Sequence, residues 1–170
     1  TSSTTVAMVM GDALAGCLVG LRGFSEEDFS RLHPSGALGR RLLFRVRDIM
    51  HTGEKLPVVQ SGTLMRQALF TLTGKGMGAV LVASERGNLL GILTDGDLRR
   101  AVQQHDGFLD LEIDKLMTRN PTVINHDRMA AEALNLMENR PSQISVLPVL
   151  DADGKIAGII RVHDLLRAGL

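Results

Sequence analysis

The chain says one phrase twice: Gly91-Ile92-Leu93-Thr94-Asp95-Gly96-Asp97-Leu98-Arg99-Arg100-Ala101 returns as Gly158-Ile159-Ile160-Arg161-Val162-His163-Asp164-Leu165-Leu166-Arg167-Ala168, 67 residues later. A repeat of that period requires two similar units rather than one irregular domain. The register extends upstream. Val46-Arg47-Asp48-Ile49-Met50 matches Ile113-Asp114-Lys115-Leu116-Met117, and the turn glycines Gly87 and Gly154 match, all at the same interval. Between these anchors the interval shortens to 65, pairing Val58-Val59 with Val123-Ile124 and Ala68-Leu69 with Ala133-Leu134. A two-residue deletion therefore falls near Asn120 and a compensating insertion near Arg140-Pro141, where loops are expected.

Each unit has the same grammar. In the first, Val58-Val59 predicts a short strand, and Thr63 to Thr73 a helix with Leu64, Ala68, Leu69 and Leu72 on one face. Gly78 to Ala83 predicts a buried strand, Glu85 to Asn88 a hairpin turn, Leu89 to Leu93 the return strand, and a helix starts near Thr94. In the second, Val123-Ile124 leads to a helix from Arg128 to Asn139, with Met129, Ala133, Leu136 and Met137 inward. Ile144 to Leu150, the turn Asp151 to Gly154, and Ile156 to Ile160 form the second hairpin, before a helix from Val162 to Ala168. The order is β-α-β-β-α in both, an α/β (α+β) fold.

Residues 1–45 stand outside the repeat. Ser2, Ser3, Thr4 and Thr5 offer N-caps to an almost uniformly apolar helix from Thr5 to Arg22, with Gly23 as its stop. Its small residues, among them Gly11, Ala13, Ala15, Gly16 and Gly20, suit close approach of a partner surface. Ser25-Glu26-Glu27-Asp28 has capping-box spacing for a second helix. A turn through Pro34 and Gly36 then leads to a basic stretch, Arg40, Arg41, Arg45 and Arg47, read as a linker.

Composition narrows the function classes. Nineteen basic residues balance nineteen acidic ones, and Trp and Tyr are absent. There is thus no electrostatic footprint or stacking platform for nucleic acid. The 44% hydrophobic content suits a soluble globular chain, and the lone Cys17 suits a reducing cytoplasm. The apolar run Val6 to Leu21 carries Asp12 and is short for a bilayer, so no membrane span is expected. The five histidines lack metal-ligand spacing, so no metal is expected. Gly74-Lys75-Gly76-Met77-Gly78 precedes a strand and reads as a helix stop, not a phosphate loop. Beginning at Thr1 without Met, the chain reads as part of something longer.

The doubled β-α-β-β-α order, with Gly-h-h-Thr-x-x-Asp at the last strand-to-helix junction, resembles the CBS domain, and the tandem resembles a CBS pair or Bateman module. The resemblance covers residues 46–170, divided as 46–106 and 107–170. It implies two sheets and four helices about a pseudo-twofold axis, with clefts that in many members bind adenosine nucleotides. At the first junction Thr94 and Asp97 gather a hydroxyl, a carboxylate and helix N–H groups in one region. That region suits a ribose diol and a phosphate, or equally a simple helix cap. In the second junction Arg161 replaces the threonine and Asp164 stays; the arginine suits a phosphate, or merely a neighbouring carboxylate. The candidate nucleotide-binding residues are therefore Thr94, Asp97, Arg161 and Asp164.

The leading segment carries a second resemblance. Thr1 to Thr5, Met10-Gly11-Asp12-Ala13-Leu14-Ala15, Phe24, Phe29 and His33-Pro34-Ser35-Gly36-Ala37-Leu38-Gly39-Arg40 resemble the end of the sugar isomerase (SIS) domain of D-arabinose 5-phosphate isomerases. In that family the stretch runs into a CBS pair opening like Val46 to Gly53. The resemblance implies interconversion of D-ribulose 5-phosphate and D-arabinose 5-phosphate for Kdo and lipopolysaccharide synthesis, with His33 in the catalytic position. An imidazole able to give and take a proton near neutral pH suits an enediol reaction. The family's sheet, phosphate loops and catalytic Lys and Glu would precede Thr1, so this piece alone is expected to be inactive, requiring no cofactor. The expected regulatory ligand is an adenine nucleotide or CMP-Kdo. The missing SIS domain and further copies of the chain are the expected partners, as a dimer of CBS pairs in a tetrameric parent. The other readings are a ligand-free pair that associates subunits, and a regulator of another SIS sugar-phosphate protein.

Overall fold

The computed structural model describes residues 1–25, 28 and 44–170. It divides into two compact units, Thr1–Leu43 and Phe44–Leu170. In the first unit, α1 spans Ser2–Arg22 and ends at Gly23, whose left-handed φ of 59° only glycine adopts freely. The helix starts three residues earlier than the sequence suggests: Thr1 is its N-cap, and Ser2 to Thr5 lie inside the first turn. At 21 residues it is also longer than expected, and by length and composition it could cross a bilayer. Its side chains are exposed within the unit, Val6, Met10, Leu14 and Leu18 among them. Beyond it, the Ser25 N–H and hydroxyl donate to Asp28 Oδ2 at 3.0 and 2.8 Å, the reciprocal pattern that the capping-box spacing predicts.

The second unit begins with a single helical turn, α2 (Val46–Ile49), and then alternates as the repeat requires. β1 (Val58–Gln60), α3 (Met65–Lys75), β2 (Ala79–Ala83), β3 (Leu89–Thr94) and α4 (Asp95–Gln104) form the first half. β4 (Thr118–Arg119), β5 (Ile124–Asn125), α5 (Ala130–Glu138), β6 (Val146–Leu150), β7 (Ile156–Arg161) and α6 (Val162–Arg167) follow. β1 lies parallel to β2, β2 antiparallel to β3, and β3 antiparallel to β4, giving the order β1-β2-β3-β4. The second sheet runs β5-β6-β7 with the same senses.

Matched irregularities certify the symmetry. The β2–β3 ladder slips between Val82 and Ala83, and the β6–β7 ladder between Val149 and Leu150, 67 residues on. Asn88 bridges Lys155, its own repeat counterpart, a pairing that a pseudo-twofold axis generates. The bridges Arg45–Met129 and Leu64–Glu112 are counterparts of each other in the same way.

Those last bridges record an exchange. Val46 is fully buried in the core of the second half, with Ala133, Met137, Leu147 and Ile160. Ile113 and Met117 are buried in the core of the first half, with Met65, Ala68, Val80 and Leu93. Each repeat's opening segment thus seals the other half. β4 extends the first sheet through Thr118 opposite Ile92, and His51 bridges Ile159 of the second sheet at the counterpart position. A third core cluster, including Ala79, Leu81, Ile92, Val146 and Ile159, joins the halves.

The exchange explains where the elements depart from the periodicity. The helices begin at Met65 and Ala130 rather than Thr63 and Arg128, and neither has a side-chain cap. Their first N–H groups are instead satisfied by the crossing segments: Met65 donates to Leu111 O and Ala130 to Phe44 O, both at 2.8 Å. Ala130, Ala133 and Met137 therefore face inward, while Leu136, expected inside, is 39% exposed. The strands likewise start at Ala79 and Val146, one and two residues later than expected. Nor are Arg45 and Arg47 linker residues. Arg45 donates to Asp127 O, and Arg47 pairs with the Asp127 carboxylate, tying α2 to the second half. Arg40 and Arg41 lie outside the described residues.

Candidate functional site

The repeated junction comes from one local rule. β3 leaves the sheet at Thr94, whose extended backbone places its hydroxyl over the first turn of α4. The Thr94 hydroxyl accepts from Asp97 N–H at 3.3 Å, while Asp97 Oδ2 accepts from Thr94 N–H at 2.8 Å and from its hydroxyl at 2.7 Å. This is a complete capping box. Asp97 is 5% exposed, and Oδ1 accepts from Thr118 Oγ1 at 3.0 Å and from Arg100. Burial works to raise the Asp97 pKa, but the bonds from Thr94, Thr118 and Arg100 outweigh it and hold the carboxyl below its ordinary value.

The second junction uses different chemistry at the same place. Arg161 donates through Nε to Asp164 Oδ2 and through Nη2 to Oδ1, both at 2.8 Å, a bidentate pair. His51 Nε2 lies 3.0 Å from Asp164 Oδ2. Burial again pushes this carboxyl upward, and Arg161, then His51, bring it below the ordinary value. The bond to Asp164 in turn raises the Arg161 pKa against the opposing effect of burial. Its Nη1 reaches across to Gly76 O at 3.3 Å.

A cavity of about 970 Å³ lies between the halves of this unit. Thr94, Asp97 and Thr118 border it, as do Arg140, Arg161 and His163; Asp164 and His51 are not on its wall. Three of the four nucleotide residues read from the sequence therefore converge there, and Asp164 sits behind Arg161. His33 lies outside the described residues. The sequence reading passed over Thr118, His51 and Arg140. The first two were findable, since Met50-His51 and Met117-Thr118 continue the matched segment at the same 67-residue interval. Arg140 lies at the insertion, where the repeat gives no guide. It donates to Thr122 Oγ1 at 2.9 Å, and its buried Nε has no partner among the described residues.

This geometry fits a known family. The CBS domain model matches residues 46–104 and 112–170. The chain belongs to the CBS domain family. Among solved structures, the CBS pair resembles CBSX2 in complex with AMP at 28% identity and a TM-score of 0.63, over 74% of this chain and 95% of that one. It resembles the CBS pair of MJ0100, in complex with 5'-methylthioadenosine and S-adenosyl-L-methionine, at 25% identity and a TM-score of 0.64, over 73% of this chain and 94% of that one. Curated relatives extend beyond the CBS pair into residues 1–45. The arabinose 5-phosphate isomerase KdsD of Pseudomonas aeruginosa is 50% identical over 170 residues, covering 100% of this chain and 52% of that protein. KdsD of Yersinia pestis is 44% identical, covering 100% and 51%. The chain spans about half the length of the curated relatives it matches.

Proposed function

We propose that this chain is the regulatory part of an arabinose 5-phosphate isomerase, and that the cavity beside Asp97 takes a nucleotide or nucleotide-sugar. The observation carrying the reading is that similarity to proteins of that name runs through the whole chain, residues 1–45 included. On this reading the division is 1–45, the end of a SIS domain; 46–106 and 107–170, the CBS repeats. The exposed apolar surface of α1 suits packing on the rest of that SIS domain. His33 is the chain's share of a catalytic site otherwise built upstream, in a cytoplasmic parent enzyme assembled from several copies.

Within the cavity, the Asp97 carboxylate and Thr118 hydroxyl suit sugar hydroxyls, while Arg140 and Arg161 suit phosphate. The volume lies within the range of small-molecule sites, about 300–1,000 Å³. AMP, ATP and CMP-Kdo all offer that combination. Calorimetric titration of the chain with each tests the reading, with heat expected from at least one. An isomerase assay on the chain alone should show no ribulose 5-phosphate formed from arabinose 5-phosphate, since a proton-transfer group without its substrate pocket has nothing to act on.

One observation favours a second reading, in which the pair joins subunits without a ligand. Both junction carboxylates already find protein donors. Silence from all three ligands in the titration would favour that reading and remove the nucleotide from the first.

A further inference from the structure

The two opening segments dock on their halves with one backbone pattern. Val46 N–H donates to Arg128 O and Ile113 N–H to Thr63 O, both at 2.9 Å. Ala130 N–H and Met65 N–H return bonds to Phe44 O and Leu111 O, both at 2.8 Å. Each segment then drives one branched apolar side chain, Val46 or Ile113, fully into a core. Nothing in this shared pattern says which segment belongs to which half. Reach does not decide it either. The residues between Met50 and Val58 extend to about 23 Å, and a sheet of four strands is about 14 Å across.

The side chains beside the buried plug do discriminate. Arg47 and Asp114 are repeat counterparts of opposite charge. Arg47 pairs with the Asp127 carboxylate, which also has His126 Nε2 at 3.2 Å. Asp114 instead accepts from Ser61 Oγ at 2.7 Å and from Gly62 N–H at 2.6 Å. Ser61 and Gly62 are the counterparts of His126 and Asp127. Burial works to raise the Asp114 pKa, but the bonds from Gly62 and Ser61, ahead of the charge of Arg119, hold it below the ordinary value. A third fastening runs the same way: Arg66 pairs with Asp110, and the counterpart of Arg66 is the uncharged Ala131.

Closing each half with its own segment would set Asp114 against Asp127, carboxylate against carboxylate. It would turn Arg47, a donor only, toward the Gly62 N–H and leave that N–H without its acceptor. Arg66 would lose Asp110 as well.

We infer that the opposite side-chain chemistry at Arg47–Asp127 and Asp114–Gly62 specifies which opening segment closes which half, against an own-half closure that backbone and core also accept. Arg47 and Asp127 are 51% and 50% exposed, and one such pair is weak by itself. The selectivity is the difference between an arrangement with every fastening matched and one with every fastening lost. It stands apart from the nucleotide reading.

Disulfide trapping in the whole chain, with Cys17→Ser, reads the choice. Arg45 and Met129 face each other across the crossed closure as a non-hydrogen-bonded pair. Such pairs lie about 4.5 Å apart, a spacing that a disulfide spans. Own-half closure would put Arg45 against Leu64, the counterpart of Met129. Arg45→Cys with Met129→Cys therefore reports the crossed closure, and Arg45→Cys with Leu64→Cys the other. With native charges the first pair should oxidise at least about tenfold faster than the second. Arg47→Asp, which brings two carboxylates together, should narrow that ratio by about threefold or more. Adding Asp127→Arg restores opposite charges and should return the ratio to within about twofold of its native value, a rescue that mere loosening of the fold does not produce. A native ratio near one, a ratio unmoved by Arg47→Asp, or a narrowing that Asp127→Arg fails to reverse overturns the inference.

Discussion

His51 Nε2 stands 3.0 Å from the Asp164 carboxylate, the place that Thr118 Oγ1 takes against Asp97 in the other half. Each junction aspartate is thus held by the residue that follows the other repeat's opening segment. Two points of the chain 113 residues apart in sequence meet at one carboxylate.

Both junction carboxyls should make stability fall in acid. Their folded pKa values lie below the ordinary value, about 3.9 for an unfolded aspartate. A depressed carboxyl contributes fully above its unfolded pKa and loses that contribution as pH falls through the folded one. Melting temperature should hold steady from pH 7 to about pH 5 and drop below roughly pH 4. Asp164→Asn should flatten part of that acid limb; an unchanged limb in both Asp164→Asn and Asp97→Asn would count against the assignment.

Glycine is required at Gly91 and Gly158 by close approach. A Cβ at Gly158 would come within 2.8 Å of His51 O, and one at Gly91 within 2.9 Å of Thr118 O. Both clashes are with the backbone of the crossing segments, which cannot simply rotate away. Gly91→Ala and Gly158→Ala should each cost about 1–3 kcal/mol in denaturant unfolding. Costs under about 0.5 kcal/mol at both would show that the crossing segments sit farther from the sheets.

The exchange of opening segments has a local signature. Val46→Ala should open the second half, raising amide exchange in β5, β6 and β7 before β1 to β3, although Val46 belongs to the first repeat. Ile113→Ala should do the reverse and cost about 2–5 kcal/mol. Hydrogen exchange by mass spectrometry reads both; faster exchange in the mutated repeat's own sheet would contradict the exchanged cores.

Leu136 and Leu147 should separate sharply. Leu147 is fully buried and Leu136 is 39% exposed. Leu147→Ala should cost about 2–5 kcal/mol, and Leu136→Ala under about 1 kcal/mol. Chemical denaturation of the two variants checks the order, and similar costs would restore Leu136 to the core.

The β-α-β-β-α order was legible because alternating apolar strands and a period of three to four in the helices survive in both copies, and two copies constrain each other. Thr94 and Asp97 were legible too, since a capping box is encoded by spacing alone. What a linear reading missed is what crosses between halves. Residues Thr118 and His51 pair with sheets of the opposite repeat, so no local pattern marks them as strand. The starts of α3 and α5 were misplaced because distant carbonyls of Leu111 and Phe44, not nearby hydroxyls, satisfy their first N–H groups. Leu136 shares helical spacing with Ala133 but lies at the edge of the buried face, which Ala130, Ala133 and Met137 occupy. Arg140 was invisible for another reason: it sits where the repeats differ in length, so symmetry could not point to it.

The crossed opening segments also fix where the chain is fastened as it enters the pair. The chain enters the pair through Phe44 and Val46, plugs into the second half, and ends that passage at His51 on Asp164. The chain's entry point into the pair is therefore anchored to the repeat that lies farther along the sequence. That anchor is an eight-residue stretch, Phe44 to His51, ending on a carboxylate whose partner Arg161 borders the cavity.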